Sequence, residues 1–367
     1  MSDFVHGESC WRLSHDRVKL WVSVRAGHMA PVQFELCGRQ VSPYALAPWS
    51  SAESDPALPG LLRVLRGDFF CFPFGPQNGG PPHGASANGT WDLVAQGDDR
   101  LHLGMEDPDS GAWLEKIIHL KEGETAVYFE HRISGASGAY SYGNHPILDF
   151  SGLGEGEARL SVSPFRWASV YPGLFSDPRN REYGALRPGA RFTDLAEVPR
   201  ADGGSADLTK YPARQGFDDL VMMVNMPSTP AQPFAWSAAV LDGYVWFSLK
   251  NPADFPATLF WISNGGRHGS PWNGSHFGRL GIEEVCSHFC DSVDASRQDL
   301  LAADEIPTTR EFRKNDIVSL RIVQAVAAVP RDFGKVASIL PAGPGKVVIA
   351  GESGASVECS VHWNHIL

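Results

Sequence analysis

The sequence has few cysteines, no long apolar run and no excess of positive charge, and each shortage excludes a class of protein. Six cysteines among 367 residues are too few for a disulfide scaffold, so we expect reduced thiols. No run of about 18 apolar residues occurs, which argues against a membrane-spanning helix. The formal net charge of −11 argues against nucleic acid or an anionic membrane as a partner, because phosphate binding depends on Lys and Arg.

The amino terminus, MSDFVHGESCWRLSHDRVKL, lacks a basic stretch followed by an apolar one. No secretory signal is therefore predicted, and a cytoplasmic location is the expectation that fits the sparse cysteines. The sequence leaves the oligomeric state open.

Helical patterns are scarce, whereas alternation of apolar and polar residues with a period of two is frequent. The one clear helical pattern covers 331–340, between Pro330 and Pro341. Residues 347–363 are typical of a terminal hairpin. The other predicted strands are 18–24, 31–37, 113–120, 126–133, 159–162, 234–240, 244–249, 257–262 and 318–325.

These patterns predict one mainly β domain over 1–367, built from two packed antiparallel sheets. A hydrophobic fraction of 43% is enough for a large core, and 38 Gly and 27 Pro provide many turns. Two polar stretches, 176–216 and 264–280, interrupt the strands. We expect both to be excursions over the surface rather than linkers between domains.

Two histidines lie in stiff turns and are the first candidates for catalysis. His83 follows two prolines and precedes a glycine, in PPHGASANGTW, and His145 precedes Pro146, in YGNHP. Prolines and glycines restrict the backbone at such positions, and catalysis needs side chains that are held in place. A histidine that only stabilises its own turn is the ordinary alternative for each.

A pair of carboxylates, Glu283 and Glu284, follows much later in the strand-like segment GIEEV. Alternation along a strand places one of them inward and the other outward. A buried carboxylate needs either a salt bridge or a chemical role such as general base. Two histidines and a carboxylate can move the two protons that open and close a pyranose ring.

The segments RGDFFCFPFGP and PPHGASANGTW resemble motifs of the aldose 1-epimerase (mutarotase) superfamily, and they are most similar to the hexose-6-phosphate mutarotases. GNHP resembles the second histidine turn of that family, GIEEV the late strand that carries its glutamate, and GFDDLV a segment whose aspartate holds sugar hydroxyls. Ala85 and Ala87 stand where the family has an aromatic residue and an arginine. The matching residues occur in the order that the family uses: Arg66, His83, Gly84, Asn88, Trp91, His145, Asp218 and Glu283.

This resemblance implies a galactose mutarotase-like β-supersandwich and an isomerase of carbohydrate metabolism that interconverts α and β anomers of a monosaccharide or sugar phosphate. Glu283 would accept the proton of the C1 hydroxyl, His145 would donate one to the ring oxygen, and His83 would hydrogen-bond the sugar. No cofactor or metal is implied. The expected substrate-binding residues are Arg66, Asn88 and Asp218, together with Trp272 and His268 from the polar loop.

Two other functions stay open. The same scaffold could be a carbohydrate-binding protein without catalysis, or Glu283 and Asp218 could form the carboxylate pair of a glycoside hydrolase. A metal site is not expected, because the spacings of Cys286, His288 and Cys290, and of Cys359, His362 and His365, are not those of zinc sites. Whether the sugar is phosphorylated stays open, and the arginines that could meet a phosphate are Arg179, Arg181, Arg267 and Arg279.

Overall fold

The computed structural model describes residues 2–367 and consists mostly of strands. Within these residues the α-helices are α1 (Gly60–Val64) and α2 (Val293–Ser296). The strands are β1 Ser2–Val5, β2 Glu8–His15, β3 Val18–Ser23, β4 Met29–Leu36, β5 Arg39–Val41, β6 Phe70–Cys71, β7 Asp92–Gln96, β8 Arg100–Glu106, β9 Trp113–His119, β10 Ala126–Ser134, β11 Gly138–Tyr140, β12 Tyr142–Asn144, β13 Ile147–Asp149, β14 Ala158–Val162, β15 Phe165–Val170, β16 Arg191–Phe192, β17 Val198–Pro199, β18 Ser205–Ala206, β19 Lys210–Tyr211, β20 Phe217–Asn225, β21 Ala235–Leu241, β22 Tyr244–Lys250, β23 Ala257–Asn264, β24 Arg279–Cys286, β25 Arg310–Phe312, β26 Ile317–Ala328, β27 Val336–Pro341, β28 Lys346–Gly351 and β29 Ser356–Ser360.

Two large antiparallel sheets dominate the molecule, which confirms the predicted fold class. One sheet has the order β19-β14-β21-β22-β26-β10-β9-β8-β7, and the other has the order β16-β15-β20-β23-β24-β12-β6 with β13 also paired to β24. The first five strands form a separate meander, and the last three form a small sheet of their own. Each strand predicted from alternation corresponds to an observed strand, within a few residues at its ends.

The main core lies between the two large sheets. Phe129 and Trp246 of the nine-stranded sheet belong to the same buried cluster as Phe260 and Ile282 of the eight-stranded sheet. The amino-terminal meander contributes to this cluster through residues such as Phe34. Because strand side chains alternate, the residues next to Phe260 and Ile282 face the opposite side of their sheet.

A buried ion pair is set into the space between the sheets. Lys250 Nζ lies 2.6 Å from Glu284 Oε2, and neither side chain is exposed to solvent. Ser248 donates a hydrogen bond to Glu284, and Lys250 donates to Ser237 and Thr258. Glu284 thus has the ordinary structural role of a buried carboxylate, with a cation and hydroxyl groups that satisfy its charge.

The predicted helix over 331–340 is wrong. The segment forms a turn, in which the Phe333 N–H donates to Pro330 O, and then strand β27. The register of β27 against β28 shifts between Val336 and Ser338, so the buried residues Val336 and Ile339 stand three apart. A β-bulge therefore produced the spacing that the sequence shares with a helix.

The carboxy-terminal hairpin is confirmed, with β28 and β29 paired antiparallel. Together with β27 it packs on the free face of the nine-stranded sheet, where Val347 and Ile349 join a cluster with Phe247 and Val323. No helix within residues 2–367 is both long and apolar enough to cross a membrane.

Candidate active site

A cavity of about 240 Å³, the site cavity, lies on the outer face of the eight-stranded sheet. Leu220, Trp261 and Glu283 reach it from neighbouring strands β20, β23 and β24. Phe260 and Ile282 point to the main core. Because side chains alternate along a strand, their neighbours Trp261 and Glu283 point to the opposite face, where a second buried cluster includes Leu220 and Trp261. The other lining residues are Leu61, Leu62, Leu65, Phe69, Pro82, His83, His145, Phe175, Arg267, Trp272 and Cys290.

His83 is held in an unusual backbone conformation. Its φ of 62° lies in the left-handed region, which costs a non-glycine residue roughly 1–3 kcal/mol unless its surroundings compensate. The His83 N–H donates to Gly75 O at 2.7 Å, and the Gly75 N–H donates to His83 Nδ1 at 3.2 Å. A neutral His83 therefore carries its proton on Nε2, which can donate to a ligand.

Gly84 explains why a glycine follows this histidine. Its φ is 71°, and a Cβ there would lie 1.9 Å from Phe72 O. No side chain fits this position without movement of the backbone. The His-Gly pair is thus a requirement of the turn that places His83 in the site cavity.

His145 and Glu283 form the central contact of the cavity. His145 Nε2 lies 3.1 Å from Glu283 Oε1, and both side chains are buried. The His145 ring stacks on Phe69, with centroids 4.4 Å apart, and meets Trp261 edge-on at 5.6 Å. The backbone N–H of His145 donates a hydrogen bond to Phe69 O, so the ring and the backbone are both fixed. The His83 ring is 5.4 Å from the His145 ring.

Burial determines the charge states of these three groups. It lowers the pKa of His83 to about 4 and lowers the pKa of His145 well below its usual value. Burial also raises the pKa of Glu283 well above its usual value, with Glu284 adding to the effect and the positive charge of Arg267 opposing it. Burial therefore favours an uncharged Glu283–His145 pair that shares one proton.

Arg267 occupies an aromatic cage beside this pair. Its guanidinium lies 5.0 Å from the ring centre of Phe175, 5.6 Å from Trp261 and 5.1 Å from Trp272. Its Nε is 3.4 Å from Asp218 Oδ2 but makes no hydrogen bond within residues 2–367. The aromatic cage and the Asp218 carboxylate hold the positively charged side chain of Arg267 at the cavity wall.

Asp218 supports the loop behind Arg267 and does not line the site cavity. Its carboxylate accepts hydrogen bonds from the Asn264 and Gly266 N–H groups and from the Ser263 hydroxyl. Burial raises its pKa, and Arg267 opposes that shift. The adjacent Asp219 binds the Ala185 and Leu186 N–H groups of the 176–216 excursion in the same way.

Three further residues expected to bind substrate are not among those that line the site cavity. Arg66 is fully buried and donates to the carbonyls of Val64, Val5 and His6. The Asn88 amide accepts from the Leu61 N–H and donates to the carbonyls of Pro82 and Gly84. His268 lies beside Tyr183, at 5.7 Å between ring centres. Trp272 does line the cavity.

Cys290 is a lining residue that the sequence analysis considered only as a metal ligand. Its sulfur lies 3.9 Å from His83 Nε2, and burial raises the pKa of its thiol. Strand β24 ends at Cys286, so Cys286, His288 and Cys290 do not continue along one strand face. Within the described part of the chain, no group of three or more His, Cys, Asp or Glu side chains is arranged to hold a metal.

The leucines of the cavity wall were also missed. Leu61, Leu62 and Leu65 come from α1 and the residues just after it, in the segment GLLRVL. An apolar run of this kind is ordinary core material, and nothing in its pattern separates a cavity wall from a core. Arg267 was one of four arginines that the sequence analysis named as possible partners of a sugar phosphate. No feature of the sequence distinguished it from the other three.

Solved structures of mutarotase-like proteins share this fold. A galactose mutarotase-like protein from Clostridium acetobutylicum is 10% identical, over 90% of this chain and 98% of that one, with a TM-score of 0.58. A candidate aldose 1-epimerase from Escherichia coli K12 is 13% identical, over 88% of this chain and 100% of that one, at 0.60. A galactose mutarotase related enzyme from Lactobacillus acidophilus is 10% identical, over 87% and 98%, at 0.56.

The chain therefore has the galactose mutarotase-like fold, as the sequence motifs implied. No protein-family model matches the sequence, and no curated protein matches it significantly. At 10–13% identity the likeness establishes the fold, and the assignment of an activity depends on the site itself.

Proposed function

We propose that this protein is an aldose 1-epimerase that interconverts the α and β anomers of a monosaccharide. The observation that carries the proposal is the Glu283–His145 pair, 3.1 Å apart inside a cavity that His83 also lines. Ring opening at an anomeric carbon needs one proton removed from O1 and one added to O5. A carboxylate and a histidine that already share a proton suit both transfers.

The Glu283–His145 pair ends a full cycle with the same number of protons with which it began. With the shared proton on His145, the Glu283 carboxylate accepts the proton of the C1 hydroxyl while His145 gives its proton to the ring oxygen. The C1–O5 bond breaks and C1 becomes an aldehyde carbon. After rotation about C1–C2, reversal of both transfers on the other face of the aldehyde gives the other anomer.

Arg267 supports the carboxylate form that this cycle requires. Burial favours the protonated form of Glu283, whereas the positive charge of Arg267 lowers the pKa of that carboxyl. The Nε2–H of His83 is available to hydrogen-bond the ring oxygen or a neighbouring hydroxyl. We expect sugar hydroxyls to displace the direct Glu283–His145 contact when the substrate binds.

The geometry is less favourable to a glycoside hydrolase, which needs two carboxyl groups on either side of one bond. Among residues 2–367 the carboxyl that lines the site cavity is that of Glu283, and Asp218 is engaged by its own loop. A binding protein without catalysis would use the same cavity. It would bind sugar but would not exchange anomers.

The test is anomeric exchange, measured by NMR magnetisation transfer on a panel of free aldoses and hexose 6-phosphates. We expect exchange above the buffer rate with the wild type, and a loss of at least about a hundredfold in His145→Ala. Sugar binding without exchange by the wild type would contradict the proposal and leave a carbohydrate-binding protein.

A further inference from the structure

The wall of the site cavity is more apolar than a fully hydroxylated sugar requires. Leu61, Leu62 and Leu65 form one side, and Phe69, Phe175 and Leu220 add further apolar surface. Leu61, Leu65, Phe69 and Leu220 are buried, so this surface is a fixed part of the fold rather than a set of mobile side chains.

Once two groups of the cavity are engaged in the proposed proton transfers, few hydrogen-bonding groups remain for the other hydroxyls of a sugar. The proposed chemistry at O1 and O5 uses Glu283 and His145. Among the lining residues that the structure describes, the remaining groups that can hydrogen-bond belong to His83, Arg267 and Cys290, together with the indole N–H groups of Trp261 and Trp272. A thiol is a weak hydrogen-bonding group, so the groups left for the other hydroxyls are a few N–H donors, and none of them comes from the leucines.

The residues that the sequence resemblance predicted to bind such hydroxyls are committed to the backbone. Arg66 is used by three carbonyl groups, Asn88 by its own turn and by α1, and Asp218 by the 264–266 backbone. A hexopyranose has hydroxyls at C2, C3, C4 and C6 besides that at C1. Any of these that faced the leucines would lose its hydrogen bonds to water and gain none.

Building on the proposed function, we infer that the substrate is a deoxyhexose, whose methyl or methylene group packs against Leu61, Leu62 and Leu65. Arg267 then binds hydroxyls elsewhere on the ring. The aromatic cage and Asp218 hold its guanidinium among Phe175, Trp261 and Trp272. Leu62 is the specificity-determining residue that is easiest to change, because it is only partly buried.

The experiment compares matched sugars that differ by one hydroxyl: D-glucose with 6-deoxy-D-glucose, D-glucose with 2-deoxy-D-glucose, and D-galactose with 6-deoxy-D-galactose. Enzymatic exchange is measured above each sugar's own buffer rate, and Kd is measured in parallel. We expect kcat/KM to favour the deoxy sugar of at least one pair by about 10- to 100-fold, the range that an apolar pocket achieves against an added hydroxyl.

Leu62→Asn places an amide of similar size in the wall, and it should reduce that preference at least about threefold by accepting the extra hydroxyl. Leu300→Asn is the matched control, since Leu300 is 55% exposed and does not line the cavity. It should leave the preference unchanged.

The outcomes separate the two proposals. Exchange with equal kcat/KM within every pair, or with a preference for the parent sugars, would overturn the deoxyhexose inference and leave the epimerase proposal intact. Without exchange on any sugar the epimerase proposal fails, and the Kd values alone then decide whether the cavity selects deoxy sugars. Absence of binding to every sugar would overturn both.

Discussion

Glu283 and Glu284 are neighbours in sequence and face opposite sides of one strand. Glu284 meets Lys250 in the space between the sheets, whereas Glu283 meets His145 in the site cavity. Alternation along the strand predicted that the two carboxylates face opposite sides, but it could not predict which of them forms an ion pair. Lys250 ends a strand that is otherwise apolar except for Ser248, and the sequence does not show that either residue meets Glu284.

The first prediction concerns this buried ion pair. Glu284→Gln leaves the Lys250 ammonium without a counter-charge, and it should lower the free energy of unfolding by about 3–5 kcal/mol, as measured in urea. The double variant Lys250→Met/Glu284→Leu removes both charges and should be less destabilised than Glu284→Gln. An effect of Glu284→Gln below about 1 kcal/mol would contradict the role assigned to the pair.

The second prediction concerns the pH dependence of exchange. Arg267 lowers the pKa of Glu283, so its removal makes protonation of the Glu283–His145 pair easier. The acid limb of kcat/KM should therefore move to higher pH in Arg267→Gln, because the pair takes up a second proton sooner as the pH falls. Arg267→Lys keeps the positive charge and should show the smaller shift. A limb that moves to lower pH in Arg267→Gln would contradict this electrostatic account.

At the scale of elements, the turn at 82–84 was predictable from the sequence only in part. The Pro-Pro-His-Gly pattern predicted a rigid turn, and the structure adds the reason in the left-handed φ of His83 and the contact of Gly84 with Phe72 O. The pattern could not show that Asn88 closes the same turn through Pro82 O and Gly84 O. An amide that matches a binding motif can thus be used entirely by backbone groups, here those of its own turn and of α1.

The third prediction tests this turn with two glycines of the same loop region. Gly84→Ala places a Cβ 1.9 Å from Phe72 O and should cost at least about 2 kcal/mol of stability and most of the exchange activity. Gly79→Ala has a similar φ of 78° but no atom within 4 Å of the new Cβ, so it should cost only about 1 kcal/mol. Thermal unfolding and NMR exchange measure the two effects. Equal losses in both variants would show that close packing at Gly84 is unimportant.

The segment 331–340 shows where reasoning from periodicity fails. Val336 and Ile339 lie three apart, as on a helix, but a bulge in β27 brings both to the buried side. A bulge adds one residue to a period of two, and this gives the helical spacing over a short segment. Only the pairing of β27 with β28, which the sequence does not reveal, separates the two interpretations.

For the whole molecule, alternation was enough to predict a mainly β architecture, because each large sheet buries one face against the other. It did not predict the separate packing of the carboxy-terminal sheet on the free face of the nine-stranded sheet. For the candidate site, stiff turns and a paired carboxylate pointed to His83, His145 and Glu283, and the fold brings these three side chains to one cavity. The expected binding residues Arg66, Asn88 and Asp218 instead have backbone partners that only the fold brings near.

The fourth prediction follows from this arrangement of sheets. Ile349 is fully buried between the carboxy-terminal sheet and the nine-stranded sheet, away from the site cavity. Ile349→Ala should lower the free energy of unfolding by about 2–5 kcal/mol, while the exchange activity of the folded protein stays unchanged. Ile317→Ala, at a side chain that is 69% exposed, should change stability by less than about 0.5 kcal/mol. Loss of exchange in folded Ile349→Ala would reveal a coupling between the two faces that the packing does not suggest.

The central claim is that Glu283 and His145 together move the protons of an anomeric carbon, and one comparison tests it most directly. Anomeric exchange of an aldose is measured by NMR for the wild type and for Glu283→Gln, with thermal unfolding of both proteins as a check on the fold. Glutamine keeps the size of the side chain but cannot accept the C1 proton, so exchange should fall at least about a hundredfold while the fold is retained. A folded Glu283→Gln protein that exchanges anomers at the wild-type rate would contradict the account.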